Sequence, residues 1–182
     1  MNVPNTLSLL RLFLVTPFLI AIIYQKYCLS LVLFVLAGIS DFLDGSLARR
    51  LNQTSLLGTF LDPMGDKLLT TVAFVALSVQ GLVPAWLAVL VVAKDIYVAL
   101  GSGVLHFAGN LSAFVPSFWG KFSTLLQIVA MGIVLLSAIV PLSEFLIDVL
   151  FVVTGLVTVV AGVHYIWRGL QDFPARPDGA GE

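Results

Sequence analysis

From residue 7 to residue 167 the chain is a succession of apolar runs, interrupted only by short polar connections. A helix needs about 20 largely apolar residues to cross the hydrocarbon core of a bilayer. Residues 7–24, 30–49, 62–79, 85–107, 121–140 and 145–167 each come close to that length. With 59% hydrophobic and 10% charged residues among 182, and a mean hydropathy of +1.07, the chain falls outside the composition of water-soluble domains. The fold expected is all-α: an integral, multi-pass membrane protein of six transmembrane helices.

The connections carry turn residues. Lys26 sits in a brief turn, Gln80 to Pro84 form a second, residues 109–119 form a loop with Pro116 near its end, and Pro141 to Glu144 form another turn. Residues 1–170 read as a single membrane domain, and residues 171–182, with two prolines and two glycines, as a flexible C-terminal tail. The first run lacks the basic start and small-residue cleavage site of a secretory signal, so it is expected to stay in the mature chain. Cys28 is the single cysteine, which excludes an internal disulfide, and His106 and His164, with 57 residues between them, have no zinc spacing. The nine Lys and Arg residues are dispersed, unlike a nucleic-acid footprint.

Residues 41–66 break this pattern. Asp41, Asp44, Asp62 and Asp66, four of the ten acidic residues, stand directly beside apolar segments. On a helix, Asp41, Asp44, Gly45 and Ala48 follow the spacing of one face, and Asp62 and Asp66 are one turn apart. The short link between the second and third runs forces an antiparallel hairpin, which brings both pairs to one end. Four carboxylates gathered there repel one another unless cations intervene, and two divalent ions would neutralise them. Oxygen donors favour Mg²⁺, Mn²⁺ or Ca²⁺ over zinc. Asp62 before Pro63 can also cap a helix, but capping accounts for none of the other three.

The pattern D-x2-D-G-x2-A-R-x8-G-x3-D-x3-D is filled here by Asp41, Asp44, Gly45, Ala48, Arg49, Gly58, Asp62 and Asp66. It resembles the signature of the CDP-alcohol phosphotransferase (CDP-alcohol phosphatidyltransferase) family. The resemblance extends to Pro4, Asn5, Thr6 and Arg11 and to the hydropathy profile up to about residue 168, and it looks like the branch making phosphatidylglycerol-type lipids. It implies metal-dependent transfer of the phosphatidyl group of CDP-diacylglycerol to an alcohol, with release of CMP, at the cytoplasmic ends of helices 2 and 3.

The same resemblance implies a division of labour. Asp41, Asp44 and Asp62 would be the main ligands of two divalent ions, Mg²⁺ with Mn²⁺ as the other candidate. Asp66 would be a further ligand, or stand behind one, and would take the proton of the acceptor hydroxyl. Asn5, Thr6, Asp41, Gly45, Arg49 and Ser55 would contact the CDP-lipid. Physical chemistry supports several of these roles: two metals about 3.5–4 Å apart clamp the attacking and leaving oxygens of an in-line displacement. Glycine at position 45 leaves room for a nucleotide, and the Arg49 guanidinium can fork onto a phosphate. Asn5 and Thr6 can equally cap the first helix, and Ser55 can be a solvated link hydroxyl.

The acceptor expected is glycerol 3-phosphate, giving phosphatidylglycerol phosphate; the alternative is phosphatidylglycerol, giving cardiolipin. A phosphomonoester carries about −1.5 to −2 charges at neutral pH, so it asks for cations beyond Arg49. Lys94, deep in the fourth run, and Lys121, at a helix start where the dipole disfavours a cation, are the candidates. Relatives using glycerol phosphate tend to carry an Arg-Glu pair in the fourth helix and a further arginine after it. Here that region reads Ala93-Lys94-Asp95, without the second arginine. Helix neighbours do not face each other, so Lys94 and Asp95 are each expected to find a partner of their own, through interhelical salt bridges.

His106 and His164 read as interfacial or core residues, Trp86, Trp119 and Trp167 as interfacial belts, and Gly132, Gly155 and Gly162 as places of close helix contact. A small cation transporter is a distant alternative; it has no use for Gly45, Arg49 or the fixed spacing, and no inverted repeat is visible.

Arg49, Arg50, Lys121, Arg168 and Arg176 lie in or beside the connections of one end, and Lys26 at the other. The positive-inside rule then puts the motif and both termini in the cytoplasm, for a bacterial inner-membrane protein that the resemblance makes a homodimer. Replacing Asp41, Asp44 or Asp62 by Asn is expected to abolish CMP release, and excess chelator to stop the unaltered protein. Full turnover in chelator, followed as CMP released, would refute the two-metal reading.

Overall fold

A computed structural model describes residues 3–51, 69–107 and 118–171, with side chains described for residues 13–40, 69–101 and 118–167. Six helices and no strand occur among the described residues: α1 (Val3–Ile23), α2 (Tyr27–Leu51), α3 (Leu69–Val79), α4 (Ala85–Phe107), α5 (Phe118–Ser137) and α6 (Glu144–Gln171). The all-α expectation is met.

The helix ends follow from local chemistry. At the end of α1, Gln25 takes a left-handed φ of 55°, while the Lys26 N–H donates to the Ala21 carbonyl at 2.8 Å and the Gln25 N–H to that of Ile22 at 2.9 Å. α3 closes the same way at Gly81, whose φ is 75°, with Leu82 donating to Leu77 at 2.9 Å and Gly81 to Ser78 at 3.0 Å. This paired closure satisfies carbonyls that a helix end otherwise leaves bare, and glycine adopts the backbone it needs without steric cost. α4 restarts after Pro84, whose carbonyl accepts from Leu87 and Ala88, and α6 after Ser143, whose carbonyl accepts from Leu146 and Ile147.

Several boundaries differ from the sequence reading. α1 starts at Val3, ahead of the apolar run, with Pro4 where a first helical turn tolerates it. α5 starts at Phe118 instead of Lys121, because Phe118 lies edge-on to Trp119 with ring centroids 6.2 Å apart and stacks on Phe122 at 6.4 Å. That aromatic row extends the helix into what reads as loop. α5 ends at Ser137, three residues early, its hydroxyl donating to the Val134 carbonyl at 2.8 Å, and α6 continues to Gln171. Residues 52–68, the 108–117 part of the predicted loop, and residues 172–182 of the predicted tail lie outside the described residues.

α1 pairs with α2, α2 with α5, α5 with α6, and α4 with α6. All six helices contribute to one apolar core: Phe18 and Ile22, Phe34 and Ala37, Ala73 and Leu77, Leu87 and Val91, Met131 and Leu135, and Phe151. The outside is apolar too. Val79 is 80% exposed and Phe145 73%, and Leu146, Val152, Leu156 and Val163 continue that surface along α6. An exterior of this kind suits lipid rather than water, and α5 and the stretch Glu144–Trp167 are each long and apolar enough to cross a membrane. Trp86, Trp119 and Trp167 are all partly exposed and stand near helix ends.

Gly155 bears out the expectation of close contact: a Cβ there would lie 2.6 Å from the Trp86 ring of α4. Gly132 and Gly162 make only ordinary contacts, at 3.9 Å from Phe34 and 3.8 Å from Lys94. Gly155→Val is therefore expected to lower the melting temperature of the purified protein by forcing α4 and α6 apart. Gly38→Ala, where an added Cβ meets nothing within 4 Å, is expected to be neutral or to stabilise by about 0.5–1 kcal/mol. Equal thermal shifts for the two would refute the close packing.

Candidate active site

α2 starts just after the Lys26 turn and stays helical through Leu51, so its last turns carry Asp41, Asp44, Gly45, Ala48 and Arg49. The helical backbone puts Asp41, Asp44, Gly45 and Ala48 on one face, at the end of α2 remote from Lys26. The first half of the motif thus has the local geometry its spacing requires. Ser55, Gly58, Asp62 and Asp66 lie outside the described residues, as do the side chains of Asn5, Thr6, Asp41, Asp44 and Arg49. Asn5 and Thr6 fall within the first turn of α1, past the position of a cap, which counts against the capping alternative.

Of the two candidate acceptor cations, Lys121 is exposed in the first turn of α5. Beside it, Tyr165 of α6 lies against the α5 backbone, since a Cβ on Gly120 would be 2.6 Å from the phenol oxygen. Lys94 is buried, 7% exposed, and its ammonium lies 3.2 Å from Asp95. Among the described residues the expectation of interhelical salt bridges is corrected: the four-carbon lysine stem bends back to its own neighbour, and the described partners on other helices are neutral. Lys94 Nζ donates to Gln127 Oε1 of α5 at 3.4 Å, and Thr71 Oγ1 of α3 donates to Asp95 Oδ2 at 3.3 Å.

Gln127 extends the cluster. Its amide nitrogen donates to Ser123 Oγ one turn earlier at 3.2 Å and to Thr158 Oγ1 of α6 at 3.0 Å, while the two hydroxyls stand 3.4 Å apart. Four helices therefore meet in one polar network inside an apolar core. Sequence reasoning passed over Thr71, Ser123, Gln127 and Thr158; the available signal was Ser123 and Gln127 at i, i+4 on an otherwise apolar helix.

Interhelical hydrogen bonds alone do not offset the two charges. Insertion scales put Lys or Asp at the centre of a membrane helix at about 2.5–3.5 kcal/mol each, and interhelical hydrogen bonds in membranes average about 0.6 kcal/mol. The four interhelical bonds here recover about 2 kcal/mol at that average. Mutual neutralisation of the pair must offset the rest. Net stability is therefore a poor reason for this network.

No group of three or more His, Cys, Asp or Glu side chains gathers among the described residues. His164 is half-buried in α6, and the side chain of His106 lies outside the described residues.

A model of the CDP-alcohol phosphatidyltransferase family matches residues 1–167. Among curated relatives, a probable phosphatidylglycerophosphate synthase of Mycobacterium tuberculosis (strain CDC 1551 / Oshkosh) is 35% identical, the match covering 94% of this chain and 83% of the relative. A CDP-diacylglycerol--glycerol-3-phosphate 3-phosphatidyltransferase of Aquifex aeolicus (strain VF5) is 34% identical, over 94% of this chain and 97% of the relative. A probable cardiolipin synthase (CMP-forming) of Drosophila melanogaster is 32% identical, over 95% of this chain and 59% of the relative.

Asp95→Asn removes the counter-charge of a buried lysine and is expected to destabilise by about 3–5 kcal/mol. Lys94→Met/Asp95→Leu removes both charges and is expected to recover most of that loss. A thermal melt in which the double variant is no more stable than Asp95→Asn would refute the pairing.

Proposed function

We propose that this chain, which belongs to the CDP-alcohol phosphatidyltransferase family, transfers the phosphatidyl group of CDP-diacylglycerol to glycerol 3-phosphate and releases CMP. The observation that carries the reading is the helical face of α2 on which Asp41, Asp44, Gly45 and Ala48 succeed one another, completed in sequence by Asp62 and Asp66. Family membership sets the cation-transporter alternative aside.

The donor set is all carboxylate, with no histidine or cysteine in the motif, which fits hard divalent cations. Asp41, Asp44, Asp62 and Asp66 would hold two of them, Mg²⁺ or Mn²⁺. When bound, such ions stabilise charge on the attacking and leaving oxygens. Gly45 leaves space for the nucleotide, Arg49 forks onto its phosphates, and Asn5, Thr6 and Ser55 complete the CDP contacts. A bond forms between the acceptor hydroxyl oxygen and the lipid-proximal phosphorus as the bond from that phosphorus to CMP breaks. The hydroxyl proton passes to Asp66.

Six membrane spans with the site at the cytoplasmic ends of α2 and α3 would let a lipid donor meet a soluble acceptor. Residues 1–170 would form that single domain and 171–182 its tail, in a bacterial inner membrane with both termini cytoplasmic, as a homodimer. Lys121 supports an anionic acceptor, being exposed in the first turn of α5. Lys94, the other cation the sequence offers, is already engaged by Asp95. Phosphatidylglycerol is the second reading, favoured by a relative named as a cardiolipin synthase and by Lys94-Asp95 standing where Arg-Glu is expected.

Purified protein supplied with CDP-diacylglycerol and Mg²⁺ should release CMP with glycerol 3-phosphate and yield phosphatidylglycerol phosphate. Parallel reactions with phosphatidylglycerol, inositol phosphate and serine set the comparison. Cardiolipin formed while glycerol 3-phosphate stays unused would reverse the order of the two acceptors, and no CMP release with any acceptor would overturn the reaction.

A further inference from the structure

We infer that Thr71, Lys94, Asp95 and Gln127 act together as a positioning device, in which the neutral Lys94–Asp95 pair is a brace fixing the depth of α3 against α5. The inference rests on the reaction proposed above.

The brace links α3, which follows Asp66 in the chain, to α5, which carries Lys121 in its first turn. At one end Thr71 stands on α3, five residues beyond Asp66 in sequence; at the other, Ser123 and Gln127 stand on α5, two and six residues beyond Lys121. Between them the contacts run from Thr71 to Asp95 to Lys94 to Gln127, then to Ser123 and Thr158. Thr71 and Gln127 are joined only through the α4 pair in this chain of contacts.

Both ends of the Gln127 side chain are committed. Its carbonyl oxygen accepts from Lys94 while its amide donates to Ser123 and Thr158, and the residue is 1% exposed. A rotated amide would set two donors against an ammonium, so only one orientation satisfies its neighbours. Lys94, held by Asp95 on its own helix and by Gln127 on the next, is directed toward protein.

Apolar side chains would hold these helices together as well, but they tolerate sliding. A polar chain does not: displacing α3 by one residue moves Thr71 about 1.5 Å along the axis, and the 3.3 Å contact to Asp95 is lost. In-line transfer needs that accuracy, since a misplacement of about 1 Å costs on the order of 10²-fold in rate. Lys94 is thereby a positioning residue, acting through Asp95 on α3, which follows Asp66 in the chain, and through Gln127 on α5.

The test uses the full chain, purified and first shown to release CMP from CDP-diacylglycerol. Absence of that release overturns the proposed reaction; every outcome below presumes it. Thr71→Val keeps the shape and removes the hydroxyl, whereas Thr71→Ser keeps the hydroxyl. The expected result for Thr71→Val is a fall in kcat of about tenfold or more, with the KM values for donor and acceptor within about twofold. Thr71→Ser should stay near the unaltered rate.

Lys94→Met/Asp95→Leu should melt close to the unaltered protein while its kcat stays low. Thr71→Val combined with Gln127→Met should be no slower than the slower single variant, because one brace is broken once. Unchanged kcat in Thr71→Val, equal loss in the Val and Ser variants, restored kcat in the charge-free double variant, or multiplicative losses in the combined variant would each overturn the inference.

Discussion

An ammonium or a carboxylate lodged among apolar helices must find its counter-charge and its hydrogen bonds inside the protein, because hydrocarbon supplies neither. This chain meets that demand in two ways. In the middle of α4 the charges are opposite and adjacent, and Lys94 and Asp95 neutralise each other before neutral groups from α3 and α5 complete them. In residues 41–66 four carboxylates share a motif with Arg49 and Arg50. Compensation there calls for ions from outside, so the same constraint that produces a structural pair in one place produces a proposed metal site in the other.

The separation of these two solutions bears on how an acceptor is recognised. A cation already paired has little field left to attract phosphate, whereas an exposed one at a helix start keeps it. Lys94 and Lys121 are similar candidates when only residue type is considered. Packing divides them: one is enclosed with Asp95, and the other is exposed beside Gly120 and the Tyr165 ring.

Much of the architecture is legible in the residues themselves. The apolar runs become helices because lipid leaves the backbone no other way to bond, and the turn at Gly81 is legible because left-handed backbone favours glycine. The aspartate face of α2 is legible from spacing, since the helical period brings Asp41, Asp44 and Gly45 together without help from tertiary structure. Helix ends are less so: Phe118 and Trp119 read as loop until the Phe118 ring is seen edge-on to Trp119 and stacked on Phe122. The polar network was the least legible. A lone threonine or glutamine on an apolar helix carries no signature of its partner, and the rule that neighbours point apart misled because it describes Cβ directions rather than the reach of a long lysine stem.

The adjacency of Lys94 and Asp95 also has a consequence for the order in which the chain is made. Gln127 and Thr158 lie 33 and 64 residues further along than Lys94, on helices that leave the ribosome later. Had the counter-charge come from either helix, α4 would be made carrying a bare ammonium. With Asp95 next in the chain, the helix emerges as an internally neutral segment, able to bond to the Thr71 side made before it and await the rest. Biogenesis thus sees a dipole where an isolated helix would have shown a charge.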